Sequence, residues 1–206
     1  MAKVRPDSAE TSRLLERLRR SDRAALGPLL DRHRTDLRAF VEFHLDPRLA
    51  ARVDPSDVVQ DAQLEVVRRM DDFLKRRPMP FHLWVRKTAY QRLLNLRRDH
   101  RRRRRSVDRE VPWPDRSSLL LARPLVSGAP SPSREAEARE FAERVSRAVA
   151  ELGETDREVL LMRHAEGLSY EEIACLLDVE PAAARKRYGR ALICLQKVLS
   201  DHGLLE

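Results

Sequence analysis

Apolar residues along this chain recur at intervals of three and four, the spacing that lines one face of a helix. Leu29, Leu30, Leu37, Phe40 and Val41 trace a first such stripe. A second helix is predicted to open at Asp54-Pro55-Ser56-Asp57, where Asp54 can cap and Pro55 suits the first turn. Its apolar face holds Val59, Val66, Val67, Met70, Phe73 and Leu74. After the break Arg77-Pro78-Met79-Pro80, a third helix is predicted over 81–104, with Phe81, Val85, Thr88, Ala89, Leu93 and Leu96 inward and Arg92 interrupting the stripe. Further on, Ala138, Phe141, Val145, Val149 and Leu152 form one stripe ending at Gly153. Thr155-x-x-Glu158 and Ser169-x-x-Glu172 have the spacing of capping boxes, each opening a short amphipathic helix, and Pro181 opens the last helix. No segment sustains two-residue alternation, so the predicted fold is all-α.

Residues 106–134 break this pattern. Pro112, Pro114, Pro124, Pro130 and Pro132 fall within them, a density that cannot continue a helix. The segment is predicted to be a linker, with a Leu119-Leu-Leu run that either docks or is a stray apolar stretch of a tether. The expected organisation is an N-terminal extension over 1–20, a helical domain over 21–105, the linker over 106–134, a second helical domain over 135–200 and a tail over 201–206.

Ser169 to Leu199 is predicted to form helix, tight turn and helix, a helix-turn-helix pattern that ordinary helical hairpins also approach. Ala174 suits a close crossing, with Ile173, Leu177 and Val179 filling the angle. On the last helix Ala184, Tyr188, Ala191, Leu192, Leu195 and Leu199 share the core face. The opposite face carries Ala182, Ala183, Lys186, Gly189, Arg190 and Lys197, flanked by Arg185 and Arg187. Small residues and cations suit a helix laid in the major groove; a solvated basic face is the plain alternative.

The N-terminal half has two faces of opposite charge. Asp57, Asp61, Glu65 and Asp72 oppose the apolar side of the second helix, where they are either solvated or a dock for a basic protein partner. The third helix is expected to turn Arg86, Lys87, Tyr90, Gln91, Arg97 and Arg98 outward. Together with Trp84, these suit phosphate contact and stacking on unpaired bases, although Trp84 serves equally well as a core aromatic. Seven arginines in the nine residues 97–105 repel one another and should lie along a polyanion or stay solvated.

Composition narrows the choice. Charged residues are 36% and aromatic residues 5% of the 206, which disfavours large aromatic-cored sheets. Lys and Arg outnumber Asp and Glu by 41 to 33, for a formal charge of +8, which favours a polyanionic partner, nucleic acid before an anionic membrane. The polar start lacks a secretory pattern, and no run approaches the roughly 18 apolar residues of a membrane span, so a cytoplasmic protein is expected. Cys175 and Cys194 lack companions at metal spacing, and the six histidines are scattered. With no Gly-rich phosphate loop and no nucleophile motif, no catalytic residue, metal or cofactor is assigned.

These motifs resemble the extracytoplasmic-function branch of the bacterial sigma-70 family, over roughly residues 20–105 and 135–200. Asp57-Val-Val-Gln-Asp61 is similar to region 2.2, which in the family binds a coiled coil of the largest polymerase subunit. The resemblance makes Asp57, Gln60, Asp61, Leu64 and Glu65 the expected polymerase-binding residues. The run from Trp84 to Asn95 followed by arginines is similar to regions 2.3 and 2.4, which open the minus-10 element. It implies minus-10 contacts by Trp84, Arg86, Lys87, Tyr90, Gln91, Arg97 and Arg98, with the Leu74 to Pro80 loop and Gln91 forming a base pocket. Leu152-Gly-Glu-Thr-Asp-Arg-Glu-Val-Leu through Glu172-Ile-Ala and Arg185-Lys-Arg is similar to region 4. It implies minus-35 contacts by Ala182, Ala183, Arg185, Lys186, Arg187 and Arg190. The chain departs from the family at Gln91 and Asn95, where Asn and Asp are usual, and at Ala182-Ala-Ala, where Gly-Thr-Val is usual.

The resemblance therefore implies a two-domain factor that binds core RNA polymerase and promoter DNA, admits an anti-sigma factor as partner, engages no membrane and is monomeric when free. Two other readings fit the residues: a helix-turn-helix regulator that binds its operator without polymerase, and a non-catalytic RNA-binding protein using the arginine run.

Overall fold

The computed structural model describes residues 4–45, 49, 52–104, 144, 145, 148, 149 and 151–204. The chain divides into two compact units, one over 3–108 and the other over 109–206. Among the described residues every regular element is helical. The expected linker over 106–134, its Leu119-Leu-Leu run, and Ala138 and Phe141 lie outside the described residues.

In the first unit, α1 (Ala9–Arg19) is followed by a 3-10 turn (Arg23–Ala25), α2 (Leu26–His44), α3 (Pro55–Arg68), α4 (Met70–Arg76) and α5 (Phe81–Arg104). Asp54 caps α3 by accepting the Ser56 N–H at 2.7 Å, and Pro55 occupies its first turn. Core side chains come from every helix: Leu15 of α1, Leu29 and Leu37 of α2, Val66 of α3, Met70 of α4, and Phe81, Leu83 and Leu93 of α5. The central element is α5, which packs against α2 and α3.

Three expectations change here. Residues 4–20 are part of the unit rather than an extension: Leu14, Leu15 and Leu18 are buried, and Asp7 accepts the Phe81 N–H at 2.8 Å and the His82 N–H at 3.2 Å. Asp7 thus caps α5 from a distant part of the chain, satisfying amides that no helical carbonyl reaches. The helix expected from residue 54 through Leu74 is two helices, because Arg69 leaves helical geometry at ψ 6°. Within the first of them Val58 and Ala62 are buried beside Val59 and Val66, while Val67 is exposed. Leu74 lies buried within α4, leaving a connection of 77–80 in which Arg77 adopts the left-handed conformation.

In the second unit, buried Val145, Ala148, Val149 and Leu152 precede α6 (Glu154–His164), α7 (Tyr170–Leu177) and α8 (Pro181–Asp201). At Ser169 the capping box is complete: the hydroxyl accepts the Glu172 N–H at 3.2 Å, and the Glu172 carboxylate accepts the Ser169 N–H at 2.8 Å. The one expected at Thr155 is absent. There α6 begins two residues earlier than a Thr155 cap requires, behind Gly153, which has no side chain to cap with, and Thr155 falls inside the first turn. Leu192, expected inward on α8, is exposed, and Tyr188 and Leu195 are half-buried.

Candidate functional site

On α3 of the first unit, successive turns carry Asp57, Gln60, Asp61 and Leu64 to the surface, with Glu65 half-buried beside them. The apolar residues Val58, Val59, Ala62 and Val66 face the core and fix this orientation. Leu64 is 50% exposed, a large apolar side chain set in a row of carboxylates. The row is partly engaged within the unit. Asp61 pairs with Arg92 of α5 at 2.6 Å, and Glu65 lies 3.8 Å from Arg68 and 4.0 Å from Arg69. On the next helix Asp72 pairs with Arg76 at 2.9 Å.

Three of the residues for which the resemblance implied minus-10 contacts, Trp84, Tyr90 and Arg97, are buried. Trp84 lies 6% exposed, stacked on Phe73 with ring centroids 4.3 Å apart. Tyr90 is 4% exposed with its ring edge against His44, and Arg97, 7% exposed, donates through Nη2 to the His44 carbonyl oxygen. The physical reason is the same for all three. With α2 and α3 both packed on it, α5 buries more of its circumference than a single apolar stripe provides, and the extra positions are filled by amphipathic side chains. Arg86 and Lys87 are half-buried, the Arg86 guanidinium lying 5.8 Å from the centre of the Phe40 ring. Gln91, Asn95, Arg98 and Arg102 are exposed along one side of the helix, so the accessible polar surface of α5 is narrower than the sequence suggested.

In the second unit α7 and α8 meet through a turn of 178–180. Asp178 adopts the left-handed conformation, which its short polar side chain tolerates, and the Val179 N–H closes onto the Ala174 carbonyl at 3.1 Å. Buried Ile173 and Ala174 sit at the crossing, and Ala184 and Ala191 seat α8. The remaining side of α8 presents Ala182, Arg185, Lys186 and Arg190 to solvent, with Ala183, Arg187 and Gly189 half-buried. A Cβ added at Gly189 would meet nothing within 4 Å, so the fold of the unit does not itself require glycine there.

Two of these cations are held by neighbours. Arg190 donates twice to Asp156 of α6, at 2.8 and 3.2 Å, and this hydrogen-bonded carboxylate raises its already high pKa. The Arg185 guanidinium lies 5.2 Å from the Tyr170 ring centre, and Arg163 lies 4.9 Å from the same ring. Beside them the Tyr188 hydroxyl and His164 Nε2 are 2.8 Å apart. Burial holds His164 below the usual imidazole range, with Arg163 acting in the same direction, and burial raises Tyr188. The result is a cationic, aromatic-edged surface at the start of α8. Sequence periodicity did not find Tyr170 or Asp156, because neither lies on the helix whose cations it holds.

Among the described residues no group of His, Cys, Asp and Glu could hold a metal ion, and no helix is long and apolar enough to cross a membrane.

Residues 142–195 match the family described as Sigma-70, region 4, a span containing α6, α7 and most of α8. The chain is 28% identical to the ECF RNA polymerase sigma-E factor of Escherichia coli strain K12 over 178 residues, 86% of this chain and 88% of that protein. In fold it is similar to CnrH, solved in complex with the cytosolic domain of CnrY, with TM-score 0.56, 23% identity and coverage of 94% of this chain and 99% of the other. It is also similar to the sigma factor RpoE of Bartonella quintana, solved in complex with the anti-sigma factor NepR, with TM-score 0.52, 18% identity and coverage of 83% and 94%.

Proposed function

Because the chain belongs to the extracytoplasmic-function branch of the sigma-70 family of RNA polymerase sigma factors, we propose that its two units divide initiation between enzyme and template. The chain is a sigma factor that binds core RNA polymerase and directs it to promoter DNA. Our residue assignment gives the enzyme the α3 surface of Asp57, Gln60, Asp61, Leu64 and Glu65. The α8 surface of Ala182, Ala183, Arg185, Lys186, Arg187 and Arg190 addresses the minus-35 duplex. Arg86, Lys87, Gln91 and Arg98 of α5 address the minus-10 element, while Trp84, Tyr90 and Arg97 hold α5 in place from inside.

The observation that carries this reading is the exposed row on α3. A basic protein that presents carboxylates around an uncovered leucine has a surface that repels DNA and suits a protein with a cationic groove. Tethering two modest template contacts to one enzyme raises the effective concentration of each, so strong binding depends on both elements at the right spacing. Catalysis of RNA synthesis stays with the polymerase. The place of action is the cytoplasm, the free chain is monomeric, and an anti-sigma factor is a further partner, as NepR is for the RpoE of Bartonella quintana.

In vitro transcription from a genomic promoter library, with core polymerase and with or without the chain, tests this. Transcripts are expected only with the chain, and Asp61→Arg should abolish them at concentrations that saturate the unaltered protein. A chain that binds its DNA site equally well without polymerase is instead a conventional helix-turn-helix regulator. One that binds RNA unaffected by Asp61→Arg is an RNA-binding protein. For the α8 assignment, Lys186→Ala should weaken promoter binding by about 1–3 kcal/mol where the side chain meets a base edge. Unchanged promoter use in both Lys186→Ala and Arg190→Ala removes α8 from that role.

A further inference from the structure

Arg92 belongs to neither surface assigned above, yet it joins them. It interrupts the apolar stripe of α5, so its guanidinium emerges on the side of that helix facing α3, where Asp61 takes it at 2.6 Å. Both side chains are nearly half exposed, at 44% and 45%. Thr88, Gln91 and Asn95 share the groove with them. The neighbouring cations of α5 are turned inward, Arg86 towards the Phe40 ring and Arg97 to the His44 carbonyl. The outer side of the helix continues with Asn95, Asp99, Arg98 and Arg102, all exposed.

A solvent-screened pair of this kind is weak: exposed ion pairs contribute on the order of 0.2–1 kcal/mol, equivalent to at most about a fivefold bias. Such a pair is easily exchanged. A partner cation that captures Asp61 takes away the carboxylate Arg92 is paired with, and the other carboxylate of the groove, Glu65, already lies by Arg68 and Arg69. Arg92 is left next to Gln91 and Asn95 on the helix that addresses the opened template. A guanidinium with an exposed carboxylate on one side and polar amides on the other can turn from the first to a phosphate without repacking the core.

We propose that Arg92 is a further promoter contact, withheld by Asp61 in the free chain and released to a phosphate of the minus-10 region when polymerase takes that carboxylate. The proposal rests on the docking role assigned to α3. It makes polymerase binding and template binding mutually reinforcing through one side chain, because what favours either partner weakens the same internal pair.

Three measurements on the full chain test it, after association of the unaltered protein with core polymerase has been measured; failure at that first step removes the docking role itself. Arg92→Ala should bind core polymerase as well as the unaltered chain or up to about fivefold better, since no internal pair must break. The same variant in the holoenzyme should bind a forked minus-10 promoter fragment several-fold more weakly, with a salt dependence reduced by about one counter-ion. Arg92→Lys, which keeps the charge, should recover most of that salt dependence. In the free chain Asp61→Asn should raise affinity for the same fragment a few-fold, and Asp61→Asn with Arg92→Ala should cancel the gain. Unchanged promoter affinity and salt slope in the Arg92→Ala holoenzyme overturn the proposal. Loss of core binding in Arg92→Ala also overturns it, because the pair is then a structural tie that shapes α3.

Discussion

The helices α5 and α8 are similar in length, 24 and 21 residues, and both are rich in cations, yet the fold treats them in opposite ways. In α8 only Ala184, Ala191 and Leu199 are buried, because the helix rests on α6 and α7 along one side. Its cations stand outside the core, although Arg190 is held by Asp156 and Arg185 lies against the Tyr170 ring. By contrast α5 runs through the middle of its unit, burying Trp84, Tyr90 and Arg97 together with the apolar stripe. Among the described residues each packs on two helical neighbours, so how those neighbours are placed around it, rather than the number of arginines, decides how much of a cationic helix stays exposed. In the first unit the exposed part of α5 is the side that carries Gln91, Asn95, Arg98 and Arg102.

Trp84 offers the largest test of that contrast. Its ring stacks on Phe73 and leans on Phe81, at 4.3 and 5.9 Å between centroids, so Trp84→Ala should destabilise the first unit by about 3–5 kcal/mol in urea unfolding followed by circular dichroism. A variant of unaltered stability that fails only in promoter opening would place the tryptophan outside the core and break the comparison. Next in size is Arg97→Ala. Removing a buried donor leaves the His44 carbonyl without that hydrogen bond, at a cost of about 1–3 kcal/mol, whereas Arg98→Ala next to it should change stability by less than about 0.5 kcal/mol. Equal effects from both substitutions would show that the two arginines are equally exposed.

Spacing and residue type disagree at Tyr90 and Arg97, where the structure departs from the expected outward face. Tyr90, Leu93 and Arg97 stand three and four apart, which puts all three on the buried side of a helix. Their polar ends suggested the outside instead, and only the tertiary partner, a carbonyl on α2, reconciles a guanidinium with that burial. Where the two signals agreed, as in the bounds of α5, the Asp54 cap and the helix-turn-helix, the structure has the same elements. The missed helix α1 carries Leu14, Leu15 and Leu18 at helical spacing behind a Ser8 cap, a signal present but short. The break at Arg69 had no such signal, since neither Pro nor Gly marks it. Asp61 was legible as part of an acidic row, but its pairing with Arg92 depends on how α3 and α5 cross.

Long-range capping gives a smaller, pH-dependent effect that applies to α5 alone. Burial would raise the Asp7 carboxyl, but hydrogen bonds from the His82 side chain and from the Phe81 and His82 amides outweigh it and leave the pKa below its ordinary value. A carboxyl that is more acidic in the folded state stabilises the fold above its unfolded pKa, and the contribution disappears as pH falls through the folded one. Asp7→Asn should therefore cost the first unit about 1 kcal/mol near neutrality, with the two proteins converging in acid below the ordinary carboxylate range. A constant difference across that range would show that the amide caps α5 no less well than the carboxylate. The second unit, whose box at Ser169 is local, should be unaffected in either case.

The smallest effect is at Gly189, where stability and function should move in opposite directions. A glycine inside a helix costs roughly 0.5–1 kcal/mol relative to alanine, and here the added methyl group would meet nothing of the unit's own. Gly189→Ala should therefore stabilise the second unit by about that amount in thermal unfolding. If the open side of α8 is pressed into a major groove, the same methyl occupies space that the DNA needs, and the holoenzyme should lose promoter affinity several-fold. Stabilisation with undiminished promoter binding would mean that α8 approaches the template less closely than its exposed, small-residue face permits. The contrast with α5 would then rest on exposure alone and no longer on contact.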